Sequence, residues 1–149
     1  MPAAGGTPRI LVDQPIGRIG TMEFALSPDG RSFVYTVGDE TRRIWRASSS
    51  GDHPQPITQG QGTAPSWSPD GTWIYFTTFR EAHDGSYELE RPGLNIWRVP
   101  SDGGVEVPVT NLTGRRGFLG PTIATDGGWL YFTWREDVSD IWTIDVVRQ

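Results

Sequence analysis

Three segments of the sequence repeat the same order of residues, and this repeat limits the possible folds more than any other feature. Aligned on an Asp-Gly pair, they read SPDGRSFVYT from Ser27, SPDGTWIYFT from Ser68 and ATDGGWLYFT from Ala124. An Ile-Trp pair follows each segment, at residues 44–45, 96–97 and 141–142. Because two anchors recur in the same order, the sequence predicts three similar structural units that stack side by side.

Each unit is typical of four short antiparallel strands. The Pro and Gly of SPDG favour a tight turn, and the segment after the turn is apolar on both faces, as expected of a strand packed between two sheets. In unit two a third strand, NIWRVP, precedes an SDGG turn and a fourth strand, VEVPVTN. Four strands in about 40 to 45 residues are a blade of a β-propeller, so the predicted fold class is all-β.

The motifs also resemble a known family. The order P-x-W-S-P-D-G, an aromatic strand, I-W-R-V-P-S-D-G-G and a closing L-T resembles the WD-like repeats of TolB-type propellers. Such repeats also occur in the non-catalytic propeller of prolyl oligopeptidase relatives and in C-terminal propellers of some bacterial kinases and regulators. The resemblance implies a non-enzymatic interaction scaffold, since the repeat class serves mostly in that role.

The strand count leaves the third unit one strand short. We predict a single partial propeller over residues 1–149, with an outer strand at 7–12, blade one at about 21–58, blade two at about 63–112, and blade three at about 118–147 without its outer strand. The N-terminal segment PAAGG-TPRILVD matches the turn and outer strand PSDGG-VEVPVTN of blade two.

Three blades are too few to close a ring, because propellers use roughly four to eight. One solution is a homodimer with six blades in total, in which the Thr7–Val12 strand of each copy completes the third blade of the other. A two-fold dimer is the commonest closed symmetry, and we favour it. The other solution is that the chain is a piece of a longer propeller.

The insertion in unit two is the candidate partner-binding site. Trp97 lies 26 positions after Gly71, whereas Trp45 lies 15 positions after Gly30, so unit two has eleven extra residues between its second and third strands. In a propeller this loop shares a face with the loop at 113–120. The predicted partner-binding residues are Arg80, Glu81, His83, Asp84, Tyr87, Glu88, Arg115 and Arg116. Alternatively, the insertion is a solvated, salt-bridged hairpin without a binding role.

The repeated aspartates and tryptophans are interpreted as structural. Asp29, Asp70 and Asp126 lie at turn positions where Asp is favoured, and equivalent turns are expected to lie far apart around the ring. Five tryptophans occupy repeat columns and are expected to pack between blades: Trp45, Trp73, Trp97, Trp129 and Trp142. Only Trp67 and Trp134 are expected where a ligand could touch them.

Composition argues against several other functions. The net charge is -5 and all 13 basic residues are arginines, which argues against a nucleic-acid groove. The chain has no cysteine, its two histidines His53 and His83 are expected on opposite faces, and no metal site or cofactor is predicted. Motifs for an esterase nucleophile, a phosphate loop or a zinc protease are missing, which argues against an enzyme.

The sequence shows no membrane-spanning run and no secretory signal, so we expect no membrane interaction. We expect the chain to be cytoplasmic as expressed, and its natural cellular compartment is not predicted. The leading functional hypothesis is a non-enzymatic propeller scaffold that self-associates and binds a protein or peptide. The alternatives are a fragment of a larger propeller-containing enzyme or regulator, or a ring that binds carbohydrate or metal near Glu23, Ala25, Ser66 and Thr122.

Overall fold

A computed structural model describes residues 5–13, 24–38, 40–78, 95–112, 118–135 and 139–145. All regular secondary structure within these ranges is β-strand, in three antiparallel sheets that follow one another along the chain. The predicted all-β class is therefore confirmed.

The three sheets correspond to the three repeats. Blade one contains β1 (Phe24–Leu26), β2 (Ser32–Thr36), β3 (Ile44–Ser48) and β4 (Gln55–Pro56); blade two contains β5 (Thr63–Trp67), β6 (Trp73–Thr78), β7 (Asn95–Pro100) and β8 (Val107–Pro108). Blade three contains β9 (Phe118–Thr125), β10 (Trp129–Arg135) and β11 (Ser139–Asp145). Neighbouring strands of each sheet are consecutive in sequence, and within the described residues the third sheet has three strands where the others have four.

The first turn shows why SPDG joins two strands. The Ser27 hydroxyl donates to the Asp29 carboxylate at 2.6 Å and accepts the backbone N–H of Ser32 at 2.9 Å, while Asp29 also accepts the N–H of Arg31 at 3.0 Å. Gly30 takes a φ of 70°, which L side chains rarely adopt. The hydroxyl and the carboxylate of the motif thus both form hydrogen bonds within the turn.

The second turn repeats this pattern and the third replaces it. In blade two, Ser68 and Asp70 make the equivalent bonds, at 2.5 Å to each other and 2.9 Å from the Trp73 N–H to Ser68. In blade three, Ala124 has no hydroxyl, and Asp126 instead accepts the backbone N–H groups of residues 128 and 129 at 2.9 and 2.7 Å. These local bonds agree with the structural interpretation of the three aspartates.

The hydrophobic core lies between blades rather than within them. The leading face of a blade is defined here as the face toward the blade before it in the chain, and the trailing face as the face toward the blade after it. Val34, Ile44 and Ile57 of blade one pack against Trp67, Ile74, Phe76 and Val99 of blade two. Tyr75, Ile96 and Leu112 of blade two pack against Leu119, Ile123, Leu130, Phe132 and Trp134 of blade three.

The N-terminal segment, residues 5–13, lies against the leading face of blade one. Val12 packs on a buried cluster of Phe33, Tyr35, Val37 and Ala47. The structure assigns no strand to residues 7–12 of the single chain. A strand requires hydrogen bonds to a neighbouring strand, and the neighbour expected from the sequence belongs to another copy, so the strand in that assembly stays a prediction.

Candidate functional site

The predicted partner-binding face lies outside the described residues. This applies to Arg80, Glu81, His83, Asp84, Tyr87, Glu88, Arg115 and Arg116. His53 is described, and it lies in the connection between β3 and β4, as its sequence position predicted. Of the residues suggested for a central ligand site, Ala25, Ser66 and Thr122 lie on the first strand of their blades, and Glu23 is not described.

The trailing face of blade three is open. In the repeat column on the second strand, Val34 of blade one and Tyr75 of blade two are 0% and 4% exposed, because each packs against the next blade. The third member, Tyr131, is 39% exposed. Residues of β10 alternate between buried and exposed, and the exposed set also includes Trp129. The expectation that Trp129 packs between blades is wrong within this chain, since nothing covers this face in the described structure.

The leading face of blade one is open at its inner strand. Trp67 in blade two and Ile123 in blade three are 9% and 7% exposed, because each packs against the preceding blade. The equivalent residue of blade one is Leu26, which is 58% exposed, and Phe24 on the same strand is also exposed. Within the described residues, the row of blades therefore has one uncovered apolar face at each end.

The N-terminal segment has the backbone geometry of a turn between a third and an outer strand. Gly5 and Gly6 have φ values of 97° and 147°, and their equivalents in the blade-two turn, Gly103 and Gly104, have 88° and 134°. Both pairs lie in a region that favours glycine. The two glycines that match in sequence thus also match in backbone conformation.

The same segment occupies the place of an outer strand from a preceding blade. In blade two, a Cβ added to Gly103 would lie 3.7 Å from the Cα of Ile57, the residue that follows the outer strand of blade one. In blade one, a Cβ added to the equivalent Gly51 would overlap the backbone carbonyl of Leu11. Repeat spacing makes Leu11 the equivalent of Ile57, so Leu11 approaches Gly51 of blade one as Ile57 of blade one approaches Gly103 of blade two.

A groove of about 390 Å³ lies between the first two turns. Its lining residues are Ser27, Pro28, Asp29, Ser32, Arg46, Trp67, Pro69, Asp70 and Gly71. The expectation that equivalent turns lie far apart is therefore wrong for blades one and two. Adjacent blades meet where their turns lie, and a Cβ added to Gly71 would be 4.0 Å from the Pro28 side chain.

Arg46 fills part of this groove and joins the two blades. Its guanidinium lies 5.7 Å from the ring centroid of Trp67, donates to the Ser101 carbonyl at 3.0 Å and forms an ion pair with Asp102. The Trp67 indole N–H donates to the Ala25 carbonyl of blade one at 2.9 Å. Arg46 thus has partners on both sides, and its contacts are those of a structural link between blades.

The carboxylates at the rim of the groove are also used in structure. Hydrogen bonds from the Ser27 hydroxyl and the Arg31 backbone lower the pKa of Asp29 below its ordinary 3.8. The Ser68 hydroxyl and the backbone and side chain of Thr72 lower the pKa of Asp70 in the same way. Both groups are therefore ionised at neutral pH, as acceptors within their own turns.

The two tryptophans expected within reach of a ligand differ in the structure. Trp134 is buried in the core between blades two and three, so the expectation is wrong for this residue. Trp67 belongs to the core between blades one and two, but it also lines the groove, where a ligand could touch it.

The described part of the chain has no group of three His, Cys, Asp or Glu side chains placed to hold a metal ion. Among the residues that the structure places, no helix is long and apolar enough to cross a membrane.

Comparison with known proteins places this geometry in a known fold. No protein-family model matches the chain. A curated relative, an uncharacterized protein of Agrobacterium fabrum, is 32% identical over 106 residues, which are 69% of this chain and 31% of the relative. A solved structure assigned as TolB from Agrobacterium tumefaciens superposes with a TM-score of 0.73 at 24% identity, over 97% of this chain and 51% of that one. The chain has the TolB-like β-propeller fold.

Two further solved structures share the propeller fold. TolB from Acinetobacter baumannii has a TM-score of 0.62 at 21% identity, over 84% of this chain and 30% of that one. A chain of a nidogen–laminin complex has a TM-score of 0.63 at 18% identity, over 87% of this chain and 45% of that one. The TolB-like chain described here therefore spans about half of the Agrobacterium structure and less than a third of the curated relative.

The seat of the N-terminal segment is the feature that sequence reasoning did not locate. An open row of three blades is expected to expose an apolar face at each end, and the repeat alignment gives the residues, because Leu26, Trp67 and Ile123 share a column, as do Val34, Tyr75 and Tyr131. Burial at these positions depends on which blade is adjacent, so Leu26 and Tyr131 at the two ends are exposed.

Proposed function

We propose that this chain is a non-enzymatic propeller module that self-associates, two copies forming a six-bladed ring, and that the ring binds a protein or peptide partner. The observation that supports self-association is the seat of residues 5–13 on blade one. This segment sits as the outer strand of a preceding blade, and blade three at the other end has three described strands. In the proposed ring, residues 5–13 of one copy take the outer-strand position of blade three in the other copy.

The apolar faces support the same arrangement. Contiguous exposed apolar surface and an unpaired strand edge favour association, and a two-fold ring covers both at once. In the ring, Tyr131 and Trp129 of one copy face Leu26 and Phe24 of the other, so these four exposed side chains are buried together. The two contacts between copies are identical by symmetry, as expected of a closed dimer.

A measurement of mass in solution tests self-association. Multi-angle light scattering at micromolar concentration is expected to give twice the mass of the 16.5 kDa chain. A monomer across the concentration range would show that the ring is not formed from two copies. That result would favour the alternative that the chain is a piece of a longer propeller, which the 51% coverage of the Agrobacterium structure supports.

Partner binding is supported by the kind of surface that propellers offer. Loops on a rigid scaffold often carry binding residues, and one of the structures with this fold is a complex of nidogen with laminin. The predicted surface combines the blade-two insertion with the loop that contains Arg115 and Arg116. Arg115 and Arg116 are adjacent basic residues at one side of this surface, so a peptide with acidic groups is the expected class of partner at their loop.

Selection from a displayed peptide library tests this part of the proposal. The immobilised protein is expected to enrich acidic peptides, and the double variant Arg115→Ala/Arg116→Ala is expected to weaken their binding about tenfold, as measured by calorimetry. Arg31→Ala is the matched control, because Arg31 lies at the exposed first turn, on the opposite side of the blades by topology. Failure to enrich any peptide, or equal losses in both variants, would contradict binding at this face.

A further inference from the structure

We infer the register in which the two copies join: Arg9 of one copy lies opposite Thr143 of the other, and Ile10 lies opposite Trp142. This inference rests on the proposed two-copy ring and specifies its contact. It is derived from the strand pairs within the chain, because each of the two four-stranded blades shows how an outer strand pairs with a third strand.

Blade two gives the first derivation. Its outer strand pairs antiparallel with β7, with Trp97 opposite Pro108 and Arg98 opposite Val107. The match of PAAGG to PSDGG places Arg9 at the position of Val107 and Ile10 at that of Pro108. The Ile-Trp repeat places Trp142 at the position of Trp97. Substituting the equivalents gives Trp142 opposite Ile10 and Thr143 opposite Arg9.

Blade one gives the same result independently. Here Trp45 lies opposite Pro56 and Arg46 lies opposite Gln55. Because Gly51 corresponds to Gly5, Gln55 corresponds to Arg9 and Pro56 to Ile10. Two sheets with different loops therefore predict one register for the third, and β11 has the backbone pairing with β10 that an inner neighbour requires.

The segment is already held where this pairing needs it. Leu11 and Val12 contact blade one through the Gly51 backbone and the cluster around Tyr35. Ile10 is 81% exposed, and its equivalents Pro56 and Pro108 are also exposed in the four-stranded blades, so exposure at this position agrees with a residue of an outer strand. The segment can thus stay on its own blade one while its other edge pairs with β11 of the second copy.

Charge at the contact between copies agrees with the register. Between blades one and two, Arg46 forms an ion pair with Asp102. The equivalent positions between blade three and blade one of the second copy are Thr143 and Ser50, since Ser50 precedes Gly51 as Asp102 precedes Gly103. Both members of the ion pair are replaced by hydroxyl residues, so the contact leaves neither charge without its partner.

Engineered disulfides test the register cleanly, because the chain has no cysteine of its own. Two single variants, Arg9→Cys and Thr143→Cys, are purified separately, mixed after unfolding, refolded together and treated with oxidised glutathione. The two thiols are oxidised to one disulfide, and oxidised glutathione is reduced to two glutathione thiols. A covalent dimer on non-reducing gels is expected in the mixture and in neither variant alone.

The matched control shifts one partner by two residues. Ile141→Cys lies on the same strand and the same side of the sheet as Thr143→Cys, but its Cα is then about 7 to 8 Å from that of Arg9→Cys, beyond the range in which a disulfide closes without backbone movement. The control mixture is expected to give about tenfold less covalent dimer.

Light scattering on the same mixtures separates the two proposals. A non-covalent dimer without a bond between positions 9 and 143 would overturn the register and leave the two-copy ring standing. A covalent dimer that forms equally well or better with Ile141→Cys would also overturn the register. A monomer in every mixture would overturn both the register and the ring.

Discussion

At the scale of single residues, Gly51 is under two separate constraints. Its φ of 92° lies in the region that L side chains rarely adopt, and a Cβ there would overlap the carbonyl of Leu11. Gly127 in the third turn has nearly the same φ, 94°, but nothing lies within 4 Å of its Cβ position. Comparing the same substitution at Gly51 and at Gly127 therefore separates the effect of backbone strain from the effect of the close approach of the N-terminal segment.

The substitution Gly51→Ala is expected to release residues 5–13 from blade one. Gly127→Ala carries the backbone strain alone, about 1 to 2 kcal/mol, and is expected to lower stability by that amount in urea denaturation. Gly51→Ala carries the same strain, and because of the overlap with Leu11 it should also raise amide hydrogen exchange at residues 5–13. Equal exchange of this segment in the two variants would show that the contact with Leu11 does not hold it in place.

At the scale of elements, the turns were well predicted from sequence and the burial of the strands was only partly predicted. SPDG names the residues that close the turn, because its serine and aspartate bond within a few positions of each other. The strands after the turns have similar apolar sequences. Even so, β2 is buried throughout, whereas β10 is buried only at alternate positions.

The difference between β2 and β10 arises from neighbours that are distant in sequence. A local pattern reports which side chains are apolar, but whether Tyr131 is covered depends on the presence of a next blade. The same limit applies to the candidate site. The sequence predicted the correspondence of residues 2–12 to an outer strand and its turn, while the seat of Leu11 against Gly51 required the arrangement of two elements in space.

The hydrogen-bonded turns predict a pH dependence of stability. Asp70 has a pKa lowered below 3.8 in the folded chain, chiefly by the Ser68 hydroxyl. Around that pH the unfolded chain binds more protons than the folded chain, so stability rises with pH. The contribution of ionised Asp70 to the free energy of unfolding is fully present above the unfolded pKa, and it is lost as the pH falls through the lower folded pKa. The melting temperature is therefore expected to fall between about pH 5 and pH 2.

Removing the main cause of this shift is expected to flatten that dependence. Ser68→Ala takes away the hydroxyl that bonds Asp70, and it also removes the acceptor of the Trp73 N–H, so a loss of about 1 kcal/mol at neutral pH is expected. Ser49→Ala is the control, since Ser49 is exposed and its turn bond uses the backbone N–H. A slope for Ser68→Ala that matches the wild type, measured by thermal unfolding at each pH, would contradict this origin.

At the scale of the whole molecule, the core is a series of interfaces between consecutive blades, and the first and last blades each have one apolar face without a neighbouring blade. Val34 with Trp67, and Tyr75 with Ile123, belong to the buried clusters between consecutive blades. Tyr131 and Leu26 are the same two columns at the two ends, where both are exposed. In the proposed ring they meet across the contact between copies, so this pair controls assembly while leaving each blade intact.

Opposite charges at these two positions are expected to separate and then restore the dimer. Tyr131→Glu and Leu26→Arg each bury an unpaired charge at both contacts of the ring, so each variant alone should be monomeric in light scattering. An equimolar mixture forms one contact with Glu opposite Arg and one wild-type contact, so the dimer should return. Tyr75→Glu is the control for folding, because it places the charge in the buried cluster between blades two and three of one chain and should lower the melting temperature. The two end variants should unfold as cooperatively as the wild type. If the mixture stays monomeric although both variants are folded, the two end faces do not meet.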